Sequence, residues 1–223
     1  MTGCRWRGAI FDLDGTLLDS MPVWRDLGDA FLRRQGIAPA PGLAAALAPL
    51  SLRQAAVYLR QQYGLTQPPE HLVEQISAML ADCYRFSIPL KPGAAAALQQ
   101  LRARGLPLAL ATATEETLAA AALERLGIRR YFAHLLSCSR SGTGKQSPEI
   151  YRRAAALLGA APERTLVFED APHAVRTAAG AGFAVIAIAD ESARDQRAAI
   201  QQLAWRYLDS WEEFSPQMLD DPS

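Results

Sequence analysis

Lysine is almost missing from this chain. Of 23 basic residues only Lys91 and Lys145 are lysines, so each of the two invites a specific role. Cysteine is scarce as well. Cys4, Cys83 and Cys138 are odd in number, widely spaced and never in a CxxC pair, which argues against a disulfide framework and a thiolate zinc site. Excess charge of either sign is absent: 23 acidic residues balance the 23 basic ones. No electrostatic footprint therefore points to nucleic acid or to an anionic membrane surface. No apolar run reaches the ~18 residues of a membrane span, and the N-terminal "MTGCRWRGAIFDLDG" has too short an apolar stretch for a signal peptide. These absences make a cytoplasmic protein with no membrane and no nucleic-acid partner the expectation.

What is present is ordinary in bulk and specific in detail. The 223 residues, half of them hydrophobic, suffice for one good-sized core, or a core with a smaller satellite. "GAIFDL" at 8–13 reads as a short buried strand. From Pro22 to Phe86 the periodicity turns helical. Val23, Trp24, Leu27, Ala30 and Phe31 share one face, as do Leu52, Ala55, Ala56, Leu59 and Tyr63, and then Leu72, Val73, Ile76, Met79, Leu80 and Cys83. Breaks at "GIAPAPG" and "GLTQPP" divide this block into a bundle of roughly four helices. After "IPLKPG" strand and helix alternate. "LPLALAT", "FAHLLS", "TLVFED", "FAVIAIAD" and "RYLDSW" read as strands, with alanine-rich helices between them. Short connections and this alternation predict right-handed βαβ units on a parallel sheet. The fold class expected is α/β: a Rossmann-like parallel-sheet core domain from residues 1–17 and 88–223, with a small α-helical cap domain, residues 18–87, inserted after the first strand. An insertion there lies over the carboxyl ends of the strands, where open α/β sheets bind ligands, and can act as a lid.

Several of the apolar strands end in polar residues. The first ends at Asp12 and Asp14, the second at Thr112, and "LVFED" at Glu169 and Asp170; Lys145 precedes a helix in the loop "SGTGKQSPEIY". In a parallel sheet all of these ends face one edge. Carboxylates gathered there repel one another unless a cation compensates them, and one lysine is too little. Hard oxygen ligands suit Mg²⁺. A metal, an acidic cluster, a hydroxyl and a lysine are the parts of a phosphoryl-transfer site, in which the charges of nucleophile and phosphate are neutralised together. One aspartate would attack phosphorus. Its neighbour Asp14 would protonate the leaving oxygen and later deprotonate water, while Thr112 and Lys145 hold phosphate oxygens. Each element also has a plain structural role open to it: a turn or helix cap for the DxD, a solvated charge for Lys145, a helix dipole for Glu169 and Asp170. Their joint occurrence, in order and at strand ends, favours chemistry.

These residues resemble the haloacid dehalogenase-like hydrolase superfamily along the whole chain, and within it the β-phosphoglucomutase and phosphoglycolate phosphatase-like branch. "DLDGT" at 12–16 is similar to the family's first motif; Thr112, Lys145 and Glu169-Asp170 fall in the second, third and fourth. The resemblance implies Asp12 as nucleophile and Asp14 as acid/base. It implies a metal held by a carboxylate oxygen of Asp12, the backbone carbonyl of Asp14, and Asp170, with Glu169 close by. Block 17–87 matches the helical cap, and "LLDS" at 17–20 its hinge. Two departures stand out: Gln146 where a proline commonly follows the lysine, and "FEDA" for the commoner "FEDS".

Within that family Asp14 argues against a haloacid dehalogenase, and the lack of any lysine before residue 91 argues against a phosphonoacetaldehyde hydrolase. A Mg²⁺-dependent phosphatase acting on a small phosphorylated metabolite through an aspartyl-phosphate is the expectation. The alternatives are a sugar phosphomutase and a catalytically idle binding or regulatory protein on this fold. A mutase needs cationic cap contacts to a second phosphate, for which Ser51 with Arg53, and Arg25, are candidates. Trp24 and Met21 are candidates for the substrate pocket or, as apolar residues of an amphipathic helix, for the cap core. The substrate and the oligomeric state are not legible.

Overall fold

A computed structural model describes residues 5–47, 50, 52–138 and 144–220 of the chain. Cys4 and Ser51 lie outside the described residues. The chain divides into two compact units: Met1–Asp19 with Pro89–Ser223, and Ser20–Ile88.

The first unit is built on a six-stranded sheet in the order β3-β2-β1-β4-β5-β6. Its strands are β1 Gly8–Phe11, β2 Leu108–Thr112, β3 Phe132–Ser137, β4 Thr165–Glu169, β5 Ala184–Ile188 and β6 Arg206–Leu208. Every neighbouring pair is parallel. This is the doubly wound order. Its switch point lies beside β1, where the chain moves first to β2 and β3 and then to β4 on the other side. Phe11 pairs with Leu110 on β2 and Phe168 on β4. One step further along the strands, Asp12 therefore stands level with Glu169, and the Asp12 amide donates to the Phe168 carbonyl at 3.0 Å. The register delivers the acidic residues of two strands to one edge.

Burial on both faces explains the continuous apolar strands. On one face Phe11 stacks on Phe168 with ring centroids 4.4 Å apart, and Trp211 packs 5.1 Å from Phe168. On the other, Ile10, Ala109 and Val167 join Tyr151, Ala154, Val175 and Ala178 in one buried cluster. Those last four lie on α7 Glu149–Leu157 and α8 Pro172–Gly180, whose alanines allow close approach to the sheet. The remaining helices of this unit are α5 Ala94–Ala103, α6 Glu116–Arg125 and α9 Arg197–Leu203. Periodicity does not predict α9, because seven residues carry too little of it to stand apart from a loop.

Beyond Asp14 the chain runs antiparallel to its own return. The Lys91 amide donates to the Leu17 carbonyl at 2.8 Å and the Asp19 amide to the Pro89 carbonyl at 3.0 Å.

The second unit is helical, as its periodicity predicts: α1 Met21–Arg34, α2 Leu43–Leu47, α3 Leu52–Tyr63 and α4 Pro69–Phe86. Its core comes from Leu27, Phe31, Leu32, Leu43, Ala56, Leu59, Leu72, Ile76, Leu80 and Tyr84. The buried face of α1 is rotated from the one expected. Leu27, Gly28, Phe31 and Leu32 are buried, whereas Ala30 is exposed and Trp24 is 38% exposed. Gly28 explains the rotation. A Cβ there would collide with the side chain of Leu47, so α1 meets α2 across its glycine. No described helix is long and apolar enough to cross a membrane.

Candidate active site

At the carboxyl edge of the sheet five polar side chains are buried together. Asp12, Thr112, Lys145, Glu169 and Asp170 each expose 5% or less of their surface. Isolated buried charge is costly, so the contacts that compensate it reveal what the site is built to hold.

Lys145 is the centre of compensation. Its ammonium donates to a carboxylate oxygen of Asp12 and to one of Glu169. Burial works against that charge, but Asp12 and Glu169 more than offset it and hold the lysine above its ordinary value. Glu169 is fixed from four sides. The Tyr151 hydroxyl donates to the oxygen that Lys145 also reaches, at 2.7 Å. The amides of Asp170 and Ala171 donate to its other oxygen at 3.1 and 3.2 Å. Burial, reinforced by Glu169, lifts the Tyr151 hydroxyl well above its usual range, so it stays a neutral donor.

One ammonium does not neutralise three carboxylates. Burial pushes Asp12 up to about 7 against the pull of Lys145, with Glu169 and Asp14 adding to the rise. Burial also drives Asp170 well above the carboxylate range, helped by Asp12 and Glu169 and opposed by a hydrogen bond from the Thr16 hydroxyl. That bond is 2.6 Å long, and Thr16 is itself held at its carbonyl by the Trp211 indole N–H at 2.7 Å. Asp12, Glu169 and Asp170 each present an oxygen within 4.8 Å of the others. Three hard oxygen donors, converging and short of positive charge, fit a divalent cation. Burial, with the neighbouring carboxylates adding to it, raises the same two groups, Asp12 and Asp170, that a cation would return to their ionised forms.

The backbone between the two aspartates is shaped for this cluster. The Leu17 and Leu18 amides both donate to the Leu13 carbonyl, at 2.9 and 2.8 Å, closing a tight turn. Gly15 sits inside it with φ +82°, and a Cβ there would run into the Asp170 carboxylate. Glycine is therefore required twice, for its conformation and for its lack of a side chain.

Asp14 and Thr112 are tied to each other through Thr114, a residue that the strand-end pattern does not single out. The Thr114 hydroxyl donates to Asp14 at 2.6 Å, and the Thr114 amide donates to the Thr112 hydroxyl oxygen at 3.0 Å. A hydroxyl that accepts in this way keeps its own hydrogen for donation, which suits Thr112 to an anionic oxygen. The structure thus brings Asp12, Asp14, Thr112, Lys145, Glu169 and Asp170 to one edge and adds Thr16, Thr114 and Tyr151. One signal for Thr114 is legible in the sequence. It stands two residues beyond Thr112, on the same side of an extended chain. Tyr151 reads as core on its helix face, and nothing local marks its hydroxyl.

The remaining candidates belong to the helical unit. Trp24 on α1 has its indole N–H donating to the Tyr84 hydroxyl at 3.1 Å. Arg25 contacts Asp26 at 2.8 Å and Arg53 on α3 contacts Glu70 at 2.8 Å; both pairs are exposed.

A family model for haloacid dehalogenase-like hydrolases matches residues 6–182. Hexitol phosphatase A of Escherichia coli strain K12 is 32% identical over 185 residues, covering 82% of this chain and 83% of its own. A phosphorylated carbohydrates phosphatase of Thermotoga maritima is 26% identical over 192 residues, 86% of this chain and 89% of its own. Among solved structures, a HAD family hydrolase from Deinococcus radiodurans R1 with bound phosphate and sodium superposes with a TM-score of 0.75 at 26% identity, covering 97% and 96% of the two chains. Buried acidic edge, doubly wound sheet and matched sequence agree: the chain belongs to the haloacid dehalogenase-like hydrolases.

Proposed function

We propose that this protein is a Mg²⁺-dependent phosphatase that hydrolyses a small phosphorylated carbohydrate or polyol through an aspartyl-phosphate. The observation that carries the reading is the buried convergence of Asp12, Glu169 and Asp170, the first two sharing Lys145, beside Asp14 and Thr112. The names of the two relatives support the substrate class, since both act on phosphorylated carbohydrates or polyols.

In this reading Asp12 and Asp170, with the Asp14 carbonyl and Glu169 completing the set, would hold the divalent cation. When bound, it supplies the positive charge that lets one anion approach another. The other steps belong to the chain. Lys145 and Thr112 bind phosphoryl oxygens. A carboxylate oxygen of Asp12 forms a bond to phosphorus as the bond from phosphorus to the alcohol oxygen breaks, and Asp14 gives its proton to that oxygen. Asp14, now ionised, takes a proton from water as the water oxygen attacks phosphorus and the bond from phosphorus to the Asp12 oxygen breaks. Inorganic phosphate leaves, and Asp12 and protonated Asp14 are restored. Glu169 and Tyr151 keep Lys145 in place. The helical unit takes the role of the family's cap.

A mutase would need cationic groups held for a second phosphate, and both arginine candidates already contact carboxylates, Arg25 that of Asp26 and Arg53 that of Glu70. An idle binding protein would carry the cost of four buried charges without a chemical return.

The test is phosphate release from hexitol phosphates, sugar phosphates, phosphoglycolate, nucleotides and an aryl phosphate, with Mg²⁺ and with EDTA. Metal-dependent release with a polyol or sugar phosphate preferred is expected. Conversion of glucose 1-phosphate to glucose 6-phosphate without free phosphate would make the protein a mutase, and no turnover of any compound would make it a binding protein.

A further inference from the structure

The hydroxyl of Thr114 touches the proton-transfer group, yet the reaction as described assigns it no part. Thr114 lies just past β2 and is 8% exposed. Its hydroxyl donates to Asp14 Oδ2 at 2.6 Å, its amide to Thr112 Oγ1 at 3.0 Å, and its carbonyl accepts from the Ser137 hydroxyl at 2.6 Å. Three strand ends meet in this residue: Asp14 follows β1, Thr112 ends β2 and Ser137 ends β3.

We propose that Thr114 is a positioning residue for general acid catalysis, fixing the Asp14 carboxyl against the β2 edge so that its proton is delivered to the leaving oxygen. The proposal rests on the assignment of Asp14 as acid/base made above. Asp14 stands on a turn, and an aspartate side chain rotates about two bonds, so the backbone alone does not set where its oxygens lie. The hydroxyl hydrogen of Thr114 can bond Oδ2 whether Asp14 is ionised or carries its proton on the other oxygen, so the orientation survives the whole cycle. Ser137 and Thr112 in turn hold the Thr114 backbone, which ties the acid/base and the phosphate-binding hydroxyl to one rigid corner. A displacement of about 1 Å at a reacting group costs as much as ~100-fold.

Leaving-group chemistry separates this role from a merely structural one. A nitrophenolate departs with little help from an acid, whereas an alkoxide needs the proton. The experiment measures kcat/KM, which reports steps up to alcohol release, for an alkyl and a nitrophenyl phosphate in wild type, T114V, T114S and D14N. T114V is expected to lower the alkyl value by roughly 10- to 100-fold and the aryl value by no more than about threefold. T114S, which keeps the hydroxyl, is expected to restore most of the alkyl rate, and D14N to show the same selectivity more strongly. Equal losses on both substrates in T114V, or no rescue by serine, overturn the proposal while a selective D14N leaves the reading of Asp14 standing. Equal losses in D14N as well overturn both. A T114V variant that melts at the wild-type temperature removes misfolding as the cause, and T114S carries the test if it does not.

Discussion

The two units of this protein treat polar side chains in opposite ways. In the α/β unit Asp12, Thr16, Thr112, Thr114, Ser137, Lys145, Glu169 and Asp170 are buried at or next to strand ends. In the helical unit the charged pairs, Arg25 with Asp26, Arg33 with Asp29 and Arg53 with Glu70, involve side chains still open to water. Its described buried residues are apolar but for Tyr84, whose hydroxyl accepts from Trp24, and Ser20 at the unit's boundary. The difference teaches where function is forced. A buried charge persists only where its partners and its task repay desolvation, so each such residue has a definable role. An exposed ion pair contributes little and constrains little, which leaves the helical surface free to vary.

Substitutions on each side sharpen this contrast. The largest effect among them is expected for K145A, which leaves Asp12 and Glu169 facing each other. Activity should fall by about 10²- to 10³-fold, and stability measured by urea unfolding at pH 8 by about 3 kcal/mol. Asp12 is raised to about 7, so it is ionised at pH 8 and takes up a proton below neutrality. Without Lys145 that carboxyl rises further, so the stability deficit of metal-free K145A should widen as pH rises above 7 and level off below it, and Mg²⁺ at pH 8 should recover part of it. A deficit independent of pH and metal would break the link between Lys145 and the acidic cluster.

Lys91 gives the next effect. Its ammonium reaches Asp190 at 2.7 Å and the Ala189 carbonyl at 2.8 Å, with both side chains largely buried. Burial works to raise Asp190, but hydrogen bonds from Lys91 and Ser192 outweigh it and hold the carboxyl below its ordinary value. A depressed carboxyl stabilises the fold above the unfolded-state value, and that contribution is lost as pH falls through the folded one. K91A should cost about 3 kcal/mol at pH 7, with the difference from wild type narrowing below about pH 4. A wild-type stability curve that runs parallel to that of K91A down to pH 3 would show that the pair contributes nothing.

At the bottom of the scale, R53A removes an exposed contact to Glu70. Its unfolding free energy should stay within about 1 kcal/mol of wild type. A larger loss would mean that the helical unit relies on its surface charges after all, and the contrast would fail.

The same contrast governs how much of the molecule is legible in its sequence. Continuous apolar strands and alanine-rich helices announce the parallel sheet, and the polar residues closing those strands mark the edge where they meet. Asp12, Glu169 and Asp170 are readable because charge at the ends of buried strands is costly unless something there uses it, and Lys145 because it is one of only two lysines and stands in a loop between those strands. Their supporting hydroxyls are harder to read, and only the spacing of Thr114 from Thr112 gives one of them away. Thr16, Thr114, Ser137 and Tyr151 act through hydrogen bonds across the sheet, and a threonine in "TAT" or a tyrosine on a helix face carries no mark of a distant partner. Trp24 is harder still. Its place on the apolar stripe of α1 suggests core, but the close approach at Gly28 turns that helix and leaves the indole partly exposed.

The most direct test of the central claim is to quench the enzyme in acid during turnover of a preferred phosphate ester with Mg²⁺ and map the phosphoryl group by mass spectrometry. The account predicts an acyl phosphate on Asp12 that disappears once the ester is consumed, and neither adduct nor turnover in D12N. Sustained turnover in D12N, or a phosphoryl group on any other side chain, would contradict it.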